Sequence, residues 1–193
     1  MKQKPVYKGV EFDSREEIEF YMWLEEAFEH ELITGSEYQP KSYCLSKKQT
    51  RMELKQLKTK KKRVEKHLLH PHKYTADFRF GLTRKGKEIA LPFIYNEVIE
   101  EDYDELGKIY FRHYNAVVDI KGSFNQHGGD REFSINQKWV FDKYGVYINK
   151  VVPEKLFKAT WCPAEARLTE KTKQVKKKYE KCKTIQEFME NER

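Results

Sequence analysis

Few conformations suit the run Val117, Val118, Asp119, Ile120, Lys121, Gly122. β-Branched residues favour extended backbone. Side chains alternate along a strand, so Val118 and Ile120 share one face while Asp119 and Lys121 share the other. The chain must bury the first face and still keep a carboxylate and an ammonium at the strand's end, where a glycine closes it. Two readings are open. Asp119 and Lys121 are solvated neighbours on a half-exposed strand, or Asp119 holds a divalent cation while Lys121 positions a water or steadies phosphate charge. A second strand of the same design is expected upstream, through Tyr74, Thr75, Ala76, Asp77, Phe78, Arg79 and Phe80. Ala76, Phe78 and Phe80 are predicted on one face, with Asp77 on the opposite one between Thr75 and Arg79.

Nearer the start, residues 6–12 read as a short hairpin strand leading to Asp13 and Ser14. Ser14 followed three residues later by Glu17 fits a capping box. The spacing predicts a helix buried along Phe20, Trp23, Leu24, Ala27 and Phe28. Glu16 and Glu17 lie in or beside that stripe, and Glu19 lies well off it. An acid facing a core is costly unless paired. Glu17 therefore either only closes the capping box or reaches a metal or a lysine at the sheet edge. The helix is expected to stop around residues 33–35, with extended chain resuming through Glu37, Tyr38, Gln39 and Pro40 toward Tyr43 and Leu45.

Charge bears on partners. Residues 46–66 hold ten Lys or Arg against two Glu, a balance of +8 (10 − 2), more than the +7 of the whole 193-residue chain. A solvated loop or helix is expected there, and cations so dense favour a polyanion nearby. Lys58, Lys60, Lys61, Lys62 and Arg63 are its nucleic-acid-binding candidates. His67, His70 and His72 are assigned to the same basic surface, because Pro71 breaks any regular zinc-ligand spacing and no cysteine is close. Residues 83–87 read as a turn and residues 89–95 as a strand. Residues 97–105 carry six acids and no base, and are expected to form a solvated loop or helix end.

Residues 123–131 read as a polar loop before a helix over 133–144. Its apolar side is predicted to be Phe133, Val140, Phe141 and Tyr144, with Gln137 on that side and Lys138 beside it. Gly145 suits the residue just past the helix end, and residues 146–152 read as a strand. The remaining tail is Lys-rich with helix-like composition. No apolar run is long enough to span a bilayer, and the first residues lack a signal-peptide core. Three widely spaced cysteines, Cys44, Cys162 and Cys182, suit reduced thiols in the cytoplasm.

As an ordered set, four blocks carry a resemblance. They are Tyr7, Lys8, Gly9, Phe12, Asp13, Ser14; then Tyr38, Gln39, Pro40; then Tyr74, Ala76, Asp77, Phe78; then Val118, Asp119, Lys121, Gly122. Across about residues 5–152 the chain resembles the PD-(D/E)XK nuclease superfamily, and within it small phage-encoded nucleases. Phage endonuclease I-type Holliday-junction resolvases are more distantly similar. The resemblance implies an α/β, restriction-endonuclease-like core over residues 1–152, a mixed central sheet flanked by helices. Residues 46–66 would then be a basic insertion, 96–108 an acidic one, and 153–193 a mostly helical appendage. It also implies a Mg²⁺-dependent endodeoxyribonuclease, with Mn²⁺ able to substitute, acting on branched or junction DNA in the host cytoplasm.

In that pattern Asp77 is the central metal ligand, Asp119 the second acid and the Ile120 carbonyl a further oxygen. Glu17 reaches the metal directly or through water, and Lys121 is the catalytic lysine. Gln137 or Lys138 would touch the DNA backbone. Two departures stand out: Asp77 and Asp119 lie 42 positions apart (119 − 77), and Ala76 replaces the proline that names the superfamily. A homodimer is expected if Trp161, Tyr179 and Phe188 pack on a second copy, and a monomer if they cover the chain's own core. The rival readings are a DNA-binding module in which Asp119 and Lys121 merely pair, and the same nuclease site directed at RNA. No membrane partner is expected.

Overall fold

Ser14 starts the first long helix as its pattern requires: its Oγ accepts from the Glu17 backbone N–H at 3.1 Å, and α1 (Arg15–Glu29) follows. The computed structural model describes residues 3–89, 91–104, 107–122, 129–169 and 172–191, without the side chains of 99–112 and 129. Phe20, Trp23, Leu24 and Ala27 are buried on α1 as expected, whereas Phe28 is exposed. The helix ends at Glu29, several residues earlier than its periodicity suggested. Ahead of it, β1 (Val6–Tyr7) and β2 (Val10–Glu11) form a minimal antiparallel hairpin.

The fold is mixed α/β around one sheet. Its strands are β3 (Ile33–Tyr38), β8 (Phe78–Leu82), β9 (Asn96–Asp104), β10 (Gly107–Ile120) and β11 (Ile148–Val151). The order runs β11-β10-β8-β3, with β9 also paired to β10. The β10–β11 pairing is parallel and the others are antiparallel. Along one edge of β10, β9 covers residues 107–115 and β11 covers 117–120. Asn96 splices the two by donating to the carbonyls of Asn115 and Tyr147 and accepting from the Tyr147 N–H. The acidic stretch, expected as a loop or helix end, is thus strand β9. Its acids from residue 100 onward have side chains outside the described set. Residues 83–87, expected as a turn, belong mainly to α2 (Arg84–Glu88), and residues 89–95 form no strand among those described.

Two apolar layers sandwich the sheet. One holds Phe12, Phe20, Trp23, Phe78, Phe80, Val118 and Ile120 under α1. The residues after β11 complete it, through α4 (Pro153–Ala159), α5 (Ala164–Arg167) and α6 (Ile185–Asn191). Trp161 stacks on Trp23 with ring centroids 4.5 Å apart, and Tyr179 and Phe188 are buried in the same layer. The three aromatics on which a dimer was to rest are therefore spent on the chain's own core.

The other layer holds Leu45, Tyr74, Ala76, Val117, Phe133, Val140 and Ile148, beneath α3 (Gly129–Tyr144). The loop expected over 123–131 lies outside the described residues up to 128. On α3, Phe133 and Val140 are buried as predicted, but Phe141 and Tyr144 are exposed. Gly145 ends the helix with φ +66° and its N–H on the Phe141 carbonyl at 2.8 Å. Ala76 also corrects an expectation. The strand foreseen over 74–80 breaks at Thr75–Asp77, so Ala76 joins the layer opposite Phe78 and Phe80.

That break separates β8 from β7 (His72–Tyr74), which pairs with β4 (Tyr43–Ser46) in a two-stranded sheet. Between them the basic stretch forms a hairpin of β5 (Gln49–Gln56) and β6 (Lys61–Leu69), mostly exposed on both faces. It is neither loop nor helix. Arg51, Lys55, Lys62 and Lys66 fall on one face of the ribbon, Lys61 and Arg63 on the other.

Candidate active site

The β10–β8 ladder pairs Val118 with Phe78 and Val117 with Arg79. Just past the Val118–Phe78 pair lie Asp77 and Asp119, close enough that the Asp119 charge raises the Asp77 pKa. Backbone bonds pin Asp77 on both sides: its N–H donates to the Val118 carbonyl at 3.1 Å, and its carbonyl accepts from Gln39 at 2.8 Å. Its Oδ2 accepts from the Ile120 N–H at 2.6 Å. The separation of 42 positions, which includes α2 and β9, does not prevent adjacency, because β8 and β10 hydrogen-bond directly.

Burial, and after it the Asp119 charge, push the Asp77 carboxyl up to about 7. The Ile120 N–H and Lys121 act in the other direction, while Glu17 adds to the rise. Glu17, Asp77, Asp119 and Lys121 thus lie within one electrostatic neighbourhood. Asp119 is only 4% exposed. The Tyr74 hydroxyl donates to its Oδ2, and Lys121 forms an ion pair with its Oδ1. That Oδ1 is buried and receives no hydrogen bond. Burial and then the Asp119 charge hold the Tyr74 phenol far above its usual value, which keeps it a donor. Lys121 Nζ also lies 5.6 Å from the centre of the Phe133 ring.

Glu17 is 5% exposed and takes the capping role, the first of the two open to it. Its carboxylate accepts from Ser14 Oγ at 2.9 Å, the Asp13 N–H at 3.0 Å and the Tyr38 hydroxyl at 2.8 Å. It also faces Asp77 closely enough to raise that acid's pKa. Tyr38 and Tyr74, two residues that position the acids, stood in the blocks of the resemblance without a role. Only the fold aims their hydroxyls at Glu17 and Asp119. Gln39 links the two halves, with Nε2 donating to Asp13 Oδ2 at 3.0 Å.

Among the described residues no three His, Cys, Asp or Glu side chains group closely enough to cage a metal ion. The acids present suit a different kind of site. Mg²⁺ is commonly held by one or two carboxylates with water and substrate phosphate completing its shell. Asp77 and Asp119 are such a pair, and the buried Asp119 Oδ1 already faces positive charge, that of Lys121. The donor chemistry fits a hard divalent ion.

Of the other candidates, Gln137 is committed elsewhere. Its Nε2 donates to the Ile148 carbonyl at 2.5 Å, tying α3 to β11. Lys138 is exposed, and Lys58, Lys60, Lys61, Lys62 and Arg63 lie exposed around the hairpin tip. No protein-family model, curated protein or solved structure matches the chain. None of the described helices is long and apolar enough to cross a membrane.

Proposed function

We propose that this chain is a metal-dependent endonuclease of the PD-(D/E)XK type, hydrolysing phosphodiester bonds in DNA. The observation that carries the reading is the closeness of Asp77 and Asp119 at the end of the β8–β10 ladder, with Lys121 two residues beyond. Two buried carboxylates side by side repel, and a cation between them relieves the repulsion. Asp77, Asp119 and the Ile120 carbonyl would hold Mg²⁺ or Mn²⁺, with Glu17 at the margin. Such an ion, when bound, lowers the pKa of water and neutralises phosphate charge.

The rest follows from the chain's own groups. Lys121 exchanges its pairing with Asp119 for the developing charge on the phosphate, or orients the attacking water. Tyr74 keeps Asp119 in place, and the Ile120 N–H does the same for Asp77. The hairpin of residues 49–69 supplies sequence-independent attraction to phosphates. A non-catalytic DNA-binding module is the second reading, favoured by one observation: Asp119 is already paired with Lys121 and Tyr74.

Incubation with linear, flapped and four-way DNA and with RNA, with Mg²⁺ and with chelator, separates them. The nuclease reading expects cleavage of DNA that chelator stops and Asp119→Asn abolishes, with Lys121→Ala slow but still able to take up metal. Cleavage by Asp119→Asn at the wild-type rate overturns the assignment. Binding without cleavage of any substrate leaves the module.

A further inference from the structure

Beside the acids, along β7 and α3, lies an open groove of about 300 Å³ lined by His72, Arg131, Glu132, Ile135, Asn136 and Trp139. Trp139 is 40% exposed, in contrast to the chain's other two tryptophans, Trp23 and Trp161, which are fully buried. The His72 ring stacks on the Trp139 indole, 5.5 Å between centroids and 15° between planes. The imidazole is held in place, its Nε2 lying 2.9 Å from Asn136 Oδ1. Asn136 is itself buried. A flat aromatic surface is therefore fixed in position and partly open to solvent.

Its distance from the acids is set by two elements. His72 precedes Tyr74, the donor to Asp119, by two residues of strand, about 7 Å. Trp139 follows Phe133, which touches Lys121, by six residues of helix, about 9 Å. Both spacings are two to three times the roughly 3.4 Å rise of a stacked nucleotide strand.

We propose that Trp139 and His72 form a stacking platform for an unpaired base of the strand entering the Asp77–Asp119 site, so that the substrate is single-stranded or locally opened nucleic acid. This rests on the nuclease reading and narrows it. Stacking on an aromatic face suits any base, because every base presents a π surface. Charge favours the same occupant: β6 ends at Leu69, three residues before His72, so the platform adjoins the base of the hairpin that carries the +8 stretch. Arg131 lines the groove and Glu132 is its one acid.

A second copy of the chain fits the patch poorly. Ile135 and Trp139 lie about 120° or more around α3 from the exposed Phe141 and Tyr144. Lys138 and Asp142, both exposed, interrupt any continuous apolar face on the helix's outer side.

The test reads binding in chelator, so it does not depend on catalysis. A thymidine oligonucleotide should quench the intrinsic fluorescence of the wild type, through Trp139. An abasic strand of equal length and charge should bind more weakly and quench little, and a blunt duplex likewise. Trp139→Ala should bind the oligonucleotide about tenfold to a hundredfold more weakly, with Trp139→Phe recovering most of the loss and the melting temperature of both near wild type. Equal binding of abasic and thymidine strands, or Trp139→Ala binding as wild type does, overturns the platform. Quenching that depends on protein concentration without nucleic acid gives the patch to a second copy and overturns it too. Stacking without any metal-dependent cleavage would leave the platform standing and remove the nuclease reading.

Discussion

Asp77→Asn should make the metal-free protein more stable at pH 8 while removing its activity. In the native state burial and the Asp119 charge raise the Asp77 carboxyl from 3.8 to about 7. Between about pH 4 and pH 7 the native state therefore holds a proton that the unfolded chain has released, so stability falls as pH rises through that window. Roughly three powers of ten in proton affinity, at about 1.4 kcal/mol each, bound the loss at about 4 kcal/mol. Partial exposure and local relaxation reduce it, and about 2 kcal/mol is the expected gain for Asn at pH 8.

Asn keeps the shape and can still accept from the Ile120 N–H. For a chain of this size that gain is about 4–8 °C in melting temperature. Thermal melts in chelator at pH 5 and pH 8 measure it. At pH 5 the native wild type still carries the proton and only about a third of the loss has accrued, so the difference should shrink to roughly a third. Mg²⁺ at pH 8 should restore the wild type and leave Asp77→Asn little changed. An Asn variant no more stable than wild type at pH 8, or equally stabilised at both pH values, would refute the account of the acid pair.

Two further outcomes follow from packing and register. Lys55 and Lys62 stand directly opposite each other on the hairpin, while the neighbouring Arg51–Lys66 pair is bridged by Glu53. Like charges opposed across strands repel, so a phosphate should be drawn there. Lys55→Gln with Lys62→Gln should reduce the salt slope of DNA binding by about 1.8, two contacts' worth, and by more than Lys61→Gln with Arg63→Gln does. An unchanged slope would make the hairpin a bystander. Gly86→Ala should lower stability by about 2 kcal/mol in a melt, although Ala in place of a helical Gly ordinarily adds about 1. The reason is that a Cβ at Gly86 would lie 2.0 Å from the Leu32 carbonyl oxygen, which Thr83 holds in place. A rise in melting temperature would contradict that close approach.

Much of the site is legible in the sequence, because its signals are local. Alternation told which way Val118, Asp119 and Ile120 point, and the three-residue spacing from Ser14 to Glu17 announced the helix start. Of the two roles offered for Glu17, the capping one is visible in its bonds at the helix start, and the same carboxylate lies near Asp77. Tyr38 and Tyr74 gave no local signal of their task. A hydroxyl's partner is chosen by what the fold brings near, and here the partners lie 21 and 45 positions away. Gln137 lies beside Phe133 and Val140 as its spacing indicates, and only the fold brings its Nε2 to a carbonyl of β11.

By itself the sequence determined side-chain direction, the capping box, the Gly145 stop and the concentration of cations in residues 46–66, because each depends on residues a few positions apart. Tertiary structure alone decided the rest. Phe28, Phe141 and Tyr144 continue apolar stripes, yet they are exposed because no layer reaches that far around their helices. The acidic stretch became β9 because β10 extends far enough to pair with it, and no acidic periodicity could announce that partner. Ala76 turned to the layer opposite Phe78 because β7 pairs with β4 and not with the main sheet. Pairing between strands, and the extent of the surface that covers a helix, are properties of distant segments meeting, and a local pattern does not encode them.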